Sequence, residues 1–171
     1  IELIKSRCHK KVSSEEIYEQ YARNGVSYGS FFKGIQDVYQ NKEEALGEIH
    51  LTSGQDLNSY SLHPTLLDSA LQVIGCLKES GNQVFVPFAV DKIEIFRPLQ
   101  PEMYAYVRSS GHNRYHITIL DENGNVCVRF NDYTLGEVTN ISEKLYKEPG
   151  REKKAHTAKA EQRKEGKAGK G

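Results

Sequence analysis

No stretch of the chain approaches eighteen consecutive apolar residues, so no transmembrane span is expected. The opening segment IELIKSRCHKK holds too short an apolar run, broken by charge, to act as a signal peptide. No C-x-x-C occurs. Cys8, Cys76 and Cys127 are odd in number and widely spaced, which argues against a disulfide framework and against zinc ligation. A cytoplasmic location follows from these absences. There is no P-loop, no G-x-G-x-x-G and no nucleophile elbow. No serine or cysteine stands in a triad context. His9, His50, His112, His116 and His156 show no metal-ligand spacing.

Apolar residues are also scarce. They make up 37% of 171 residues against 27% charged, with a mean hydropathy of −0.63. The deficit is concentrated in KEPGREKKAHTAKAEQRKEGKAGKG at 147–171, which has nine Lys+Arg, four Asp+Glu and no large apolar side chain. Such a stretch cannot bury enough surface to offset its ordering entropy. Taking it from the totals leaves 14 basic and 19 acidic residues in 1–146, about −5. A basic tail can bind nucleic acid. The body has no basic stripe with interleaved aromatics, so a solvated linker over 139–171 is expected instead.

What is present reads as mixed α and β. Ser13 opens a capping box with Glu16, and Ile17, Tyr18, Tyr21 and Ala22 recur at helical spacing, so a helix is expected over 14–23, ended by Asn24-Gly25. Strands are expected at 35–40 and 44–51. The segment LHPTLLDSALQVIGCLK at 62–78 predicts one helix, with Pro64 in its first turn. Leu66, Leu67, Ala70, Leu71, Val73, Ile74 and Leu77 cover most of its circumference, which places it inside the domain. A narrow seam of Thr65, Asp68, Ser69, Gln72 and Cys76 interrupts the apolar surface. Further strands are expected at 83–88, 91–97, 103–109, 114–121 and 125–135, with Asn123-Gly124 as a two-residue hairpin turn. One buried helix followed by an antiparallel meander is the α+β hot-dog arrangement, a central helix wrapped by a curved antiparallel sheet.

Asp68 stands out because a carboxylate in an apolar helix is costly unless it is paired or functional. Gln72 lies one turn on and faces the same way. Burial would raise the Asp68 pKa and suit a general acid. A structural aspartate bonded to Gln72 or to backbone is the equal alternative. His63, ahead of Pro64, reads first as a cap or packing residue. The loop Tyr28-Gly29-Ser30-Phe31-Phe32 reads first as a turn anchoring the sheet. As a lid over an acyl chain it would use Gly29 for close backbone approach.

HPTLLDSALQ at 63–72 closely resembles the H-P-x-L-L-D-x-x-x-Q motif of dehydratase domains in modular polyketide synthases. YGSFFKG at 28–34 resembles that family's Y-G-P-x-F-x-G loop, and VPFAVDKIEIF at 86–96 its strand pair after the central helix. The likeness spans about residues 1–138. It implies a double hot dog, with residues 1–12 ending a preceding hot dog or linker and 13–138 forming the second, C-terminal one. It implies elimination of water from a β-hydroxyacyl thioester on the phosphopantetheine arm of an acyl carrier protein, with no further cofactor. Asp68 matches the aspartate that protonates the departing hydroxyl. Gln72 matches the position that orients the aspartate or the substrate. Tyr28, Gly29, Phe32, His63 and Pro64 match substrate-lining positions. Homodimerisation is implied, and neither nucleic acid nor membrane is.

Ser30 stands where the family usually has proline, which should loosen the loop. The H-x-x-x-G-x-x-x-x-P motif of the first hot dog, which carries the basic histidine, does not occur in this chain. The expectation is therefore the aspartate half of a dehydratase whose other half lies upstream. A non-catalytic acyl-thioester or partner-binding module, or an isomerase or cyclase variant, are the alternatives.

Overall fold

Ser13 has extended backbone angles, and its hydroxyl accepts from the Glu16 N–H while the Glu16 carboxylate accepts from the Ser13 N–H at 2.9 Å. This reciprocal cap starts helix α2, Ser14–Arg23, at the expected place. The computed structural model describes residues 1–78 and 84–138. The expected loop at 79–82 and the expected tail at 139–171 lie outside them.

Residues 1–12, expected as the end of a preceding unit or linker, form a short helix α1, Glu2–Arg7, and a strand β1, Lys10–Ser13. Then follow β2, Ile35–Gln40, and β3, Glu44–His50. Next come the central helix α3, Pro64–Gln72, and β4, Phe85–Ala89. The chain closes with β5, Lys92–Ile95, β6, Glu102–Gly111, β7, Arg114–Leu120, and β8, Val126–Glu137. Short 3-10 segments lie at Ser30–Phe32, Leu57–Ser59 and Val73–Leu77. Ser30, the serine in the proline position, begins the first of these, where proline's fixed φ would fit.

All eight strands join one antiparallel sheet, in the order β1-β2-β3-β6-β7-β8-β4, with β5 following β4 along the same edge of β8. The sheet wraps α3, which is the hot-dog arrangement. Ile35, Leu66, Ala70, Val73, Ala105, Val107, Ile117, Ile119 and Val128 are sealed between helix and sheet. Burying each large aliphatic among them stabilises the fold by about 1.5–3 kcal/mol relative to exposure.

Three expectations need correction. First, 62–78 is not one helix: α-helical winding stops at Gln72 and continues as 3-10 over Val73–Leu77. The Tyr21 hydroxyl donates to the Gln72 carbonyl at 2.6 Å, occupying the acceptor that α-helical winding would give to the N–H four residues on. The β-branched pair Val73-Ile74 and Gly75 weaken helix propensity at the same point. Second, most of the polar seam of α3 is buried along with Leu66, while two of its leucines are not. Thr65, Ser69 and Gln72 are buried, whereas Leu67, Asp68 and Leu71 are half-buried. Burial is tolerated because the seam is bonded: the Ser69 hydroxyl donates to the Thr65 carbonyl at 2.8 Å, and Thr65 donates to the Gln55 side chain at 3.0 Å. Third, Asn123-Gly124 is not a two-residue turn. The Gly124 N–H donates to the Asp121 carbonyl and the Asp121 N–H to the Asn125 carbonyl, which makes a three-residue loop with Gly124 at φ 80. The Asp121 carboxylate fixes it by accepting from the N–H groups of Asn123 and Asn125. The two-residue turn is instead His112-Asn113, both at positive φ, between β6 and β7.

On the outer face, α1 is tied to β3. Lys5 bonds Glu48 at 2.7 Å, and Arg7 grips both oxygens of Glu44 at 2.8 and 3.0 Å. Leu46 on the same face of β3 is fully buried. Arg7, with the Tyr106 hydroxyl and Asn41, holds the Glu44 carboxyl down to about 2. A carboxyl depressed in the folded state gives stability that is present above its unfolded value and is lost as pH falls through the folded one. Glu44→Gln is therefore expected to lower thermal stability at pH 7 and to flatten its decline between about pH 4.5 and 2. Melting curves across that range check it. An unchanged acid limb would mean that the ion pair does not hold α1.

Candidate active site

The α-helical spacing of Asp68 and Gln72 puts both side chains on one wall of a cavity of about 160 Å³ between α2, α3 and the β4–β8 end of the sheet. Tyr21, Tyr28, Leu71, Cys76, Phe85, Tyr133 and Leu135 line it with them. The lining is mostly apolar with a few convergent polar groups, the make-up of a small-molecule pocket.

The Gln72 side-chain amide donates to Asp68 Oδ2 at 2.7 Å and to the Phe32 carbonyl at 2.9 Å. Its Oε1 accepts from the Tyr18 hydroxyl at 2.9 Å, and that hydroxyl accepts from the Ile35 N–H at 3.1 Å. Both Gln72 amide hydrogens are thus committed. Burial pushes the Asp68 carboxyl above the usual aspartate range, and the Gln72 bond opposes the rise. Around it, burial pushes the phenols of Tyr28 and Tyr133 and the Cys76 thiol up to about 12. Because Oδ2 accepts from Gln72, Oδ1 is the oxygen that would carry a proton whenever the Asp68 carboxyl is protonated.

The other expected site residues scatter. Tyr28 lines the cavity, packed edge-on against Tyr18 and Tyr21 at 5.9 and 5.1 Å. Phe32 contributes its backbone carbonyl to Gln72 while its ring is exposed. Gly29 has φ −69, and a Cβ added there would meet no atom within 4 Å, so this chain does not crowd it. His63 is buried beside the start of α3, its ring Nδ1 3.0 Å from the Thr65 hydroxyl and its edge against Tyr60. Pro64 is exposed at the first helical position. Neither His63 nor Pro64 lines the cavity, and no histidine among the described residues does.

Tyr18, Tyr21, Tyr133 and Cys76 were not read as site residues. Their spacing marks a helix or strand core equally well. The available signal was tyrosine, rather than leucine, at buried positions, because a buried phenol needs a hydrogen-bond partner.

The chain is similar to known proteins in sequence and in fold. The family model described as the polyketide synthase dehydratase N-terminal domain matches residues 2–144. Polyketide synthase PksN of Bacillus subtilis (strain 168) is 34% identical over 140 residues, which is 75% of this chain and 3% of PksN. The dehydratase domain from the CurF module of curacin polyketide synthase superposes with a TM-score of 0.74 at 26% identity, covering 80% of this chain and 51% of that one. The CurK dehydratase, solved as an inactive aspartate-to-asparagine variant and as an inactive histidine-to-phenylalanine variant, superposes at 0.73 and 0.72. Each variant is 26% identical, with 80% of this chain and 51% of the CurK chain covered. The chain thus spans about half of these solved dehydratases and a small fraction of the synthase.

Proposed function

The chain belongs to the polyketide synthase dehydratase family, and from that premise we propose that it is the aspartate-bearing, C-terminal half of a dehydratase that removes water from a β-hydroxyacyl thioester. Asp68 gives its Oδ1 proton to the departing β-hydroxyl, and the C–O bond breaks. A base on the other half takes the α-proton, and the electrons of the α C–H bond form the α,β double bond. The substrate arrives on the phosphopantetheine arm of an acyl carrier protein, and no further cofactor takes part. Gln72 holds Asp68 rather than the substrate, since both its amide hydrogens are already used.

The observation that carries this reading is the half-buried Asp68, with raised pKa, in a cavity that no described histidine reaches. A general acid needs this tuning, and its partner base would have to come to the cavity from outside the described residues. The matching family model is described as an N-terminal domain; the assignment to the C-terminal half rests on the resemblance of the helix that carries Asp68 and Gln72 to the family's aspartate motif. The two inactive CurK variants, one of an aspartate and one of a histidine, fit a two-residue acid–base pair.

The sheet edge supports a second half. Ile93 and Ile95 on β5 stand directly opposite the core residues Phe130 and Val128 in register, so they point to the core side of the sheet. Yet they are 46% and 60% exposed. The core face therefore runs past what α3 covers, and the histidine-bearing hot dog is the partner that would cover it. We place the whole in the cytoplasm, as a homodimer. Among the described residues no helix is long and apolar enough to cross a membrane.

The test is to express this chain joined to the region encoded directly upstream and to offer it a β-hydroxyacyl-acyl carrier protein. Loss of one water from the acyl group, read by mass spectrometry, is the expected result. Untouched substrate with a folded domain would leave a binding module without elimination.

A further inference from the structure

We infer that Tyr18 is a positioning residue, whose hydroxyl locks the Gln72 amide in the one orientation that donates to Asp68. A glutamine amide has nearly the same shape either way round, so its neighbours must set its direction. The Ile35 N–H at 3.1 Å fills an acceptor site of the Tyr18 hydroxyl. The tyrosine's own proton is then free for Gln72 Oε1 at 2.9 Å. The Phe32 carbonyl lies farther from the hydroxyl, at 3.4 Å, and already accepts from Gln72. Reversing the amide would set Oε1 against the Phe32 carbonyl and the Asp68 carboxylate, three oxygens with no hydrogen between them. Tyr18 is therefore the polarity key of a relay from the first N–H of β2, through helix α2, to the central helix.

The relay is built rather than incidental. Gln72 is 3% exposed and Tyr18 9%, so no bulk water can replace a lost partner. The Tyr18 ring is pinned edge-on by Tyr28, and Lys33 sets its ammonium 5.6 Å over the ring. Among the described residues the titratable groups around Asp68 are the phenols of Tyr18, Tyr21, Tyr28 and Tyr133, the Cys76 thiol and the Lys78 ammonium. Burial raises the phenols and the thiol, away from the aspartate range, and lowers the ammonium. Tyr21 serves as the internal control. It lies one turn from Tyr18 on the same helix, but its hydroxyl bonds the Gln72 backbone carbonyl, not the amide.

The role rests on the proposed reaction only for its effect on turnover, and a titration separates the two. Carbon-13 NMR of the full chain would follow the Asp68 carboxyl in the unaltered protein, Tyr18→Phe, Tyr21→Phe and Gln72→Leu. Loosening the amide weakens a bond to the charged form, so Tyr18→Phe should raise the Asp68 midpoint by about half a pH unit or more, as Gln72→Leu also should. Tyr21→Phe should leave it in place. In the complete dehydratase, the alkaline limb of the pH–rate profile should move up with it at unchanged KM. An Asp68 midpoint unmoved by Tyr18→Phe would overturn the inference, whatever Gln72→Leu does. A moved midpoint without elimination would keep the role of Tyr18 and remove the reaction. Should the phenylalanine variant fail to fold, the unaltered chain still decides: both Gln72 side-chain amide hydrogens should exchange slowly, and fast exchange would sink the idea.

Discussion

Asp68→Asn in the complete dehydratase is expected to cut turnover by about 10²–10⁴-fold, the range for losing a general acid, while the domain stays folded. Asparagine keeps the size of the side chain and can still accept the Gln72 amide hydrogen through its carbonyl oxygen. What it loses is the proton on the other atom. The same substitution should raise the melting temperature slightly near neutral pH. The Asp68 carboxyl titrates above the usual aspartate range because burial penalises its charge. With the folded value above the unfolded one, the folded state holds the proton more tightly. Its contribution to stability is then greatest below the unfolded value, near pH 4, and is lost as pH rises through the folded one. At pH 7 the native chain therefore bears the cost of burying an ionisable carboxyl, which asparagine avoids. A gain of about 1–3 °C at pH 7, shrinking towards pH 4, is expected by calorimetry. Unchanged turnover in a folded variant would remove Asp68 from the chemistry. A lower melting temperature at pH 7 would make its carboxylate structural.

Gly47→Val should cost about 2–3 kcal/mol and lower the melting temperature by roughly 5–10 °C. Gly47 lies in β3 between Val38 of β2 and Ala105 of β6. A Cβ built there would stand 2.4 Å from Val73 Cγ2. The strand has no side chain at this point because Val73 fills the space. Val73 is also the first residue of the 3-10 segment, directly after Gln72, so bulk at position 47 pushes on the residue next to the Asp68 relay. Combining Gly47→Ala with Val73→Ala should recover much of the loss seen with Gly47→Ala alone, because the second change removes the clashing methyl groups. A melting temperature for Gly47→Val equal to that of the native chain would mean that the helix does not rest on β3 so closely.

How far the sequence could be read depends on which forces act locally. The α2 helix was legible because Ser13 and Glu16 cap it within four residues. The start of α3 was legible from Pro64, and most strands from their alternation. The change to 3-10 winding at Val73 was not, since the Tyr21 hydroxyl that takes the Gln72 carbonyl approaches it only in the folded chain. The turn at His112-Asn113 carries no glycine at its two central positions, whereas Asn123-Gly124 has the composition of a tight turn and is widened by Asp121, which bonds two backbone N–H groups. At the candidate site, the Asp68–Gln72 pair could be read because helical spacing fixes it. The bonds of the Tyr18 hydroxyl and the Phe32 carbonyl to Gln72 could not, because they span 54 and 40 residues. Gly29, His63 and Pro64 came from motif likeness, and in this chain they lie away from the cavity wall that holds Asp68.

The strand order also distributes the entropy of folding unevenly. Strands β6, β7 and β8 close on one another through loops of two and three residues, and β2 meets β3 across a short turn. These joints ask little of the chain. Bringing β3 to β6, where His50 faces Glu102, closes a loop holding everything from residue 51 to 101, the central helix included. By loop-closure entropy this is the expensive joint of the sheet between β2 and β8. The same joint encloses the helix, for β3 is the strand on which Val73 rests. The two hairpin systems can thus be regarded as jaws. The register in which they shut decides at one stroke whether the sheet is continuous and whether Asp68 is held at its cavity.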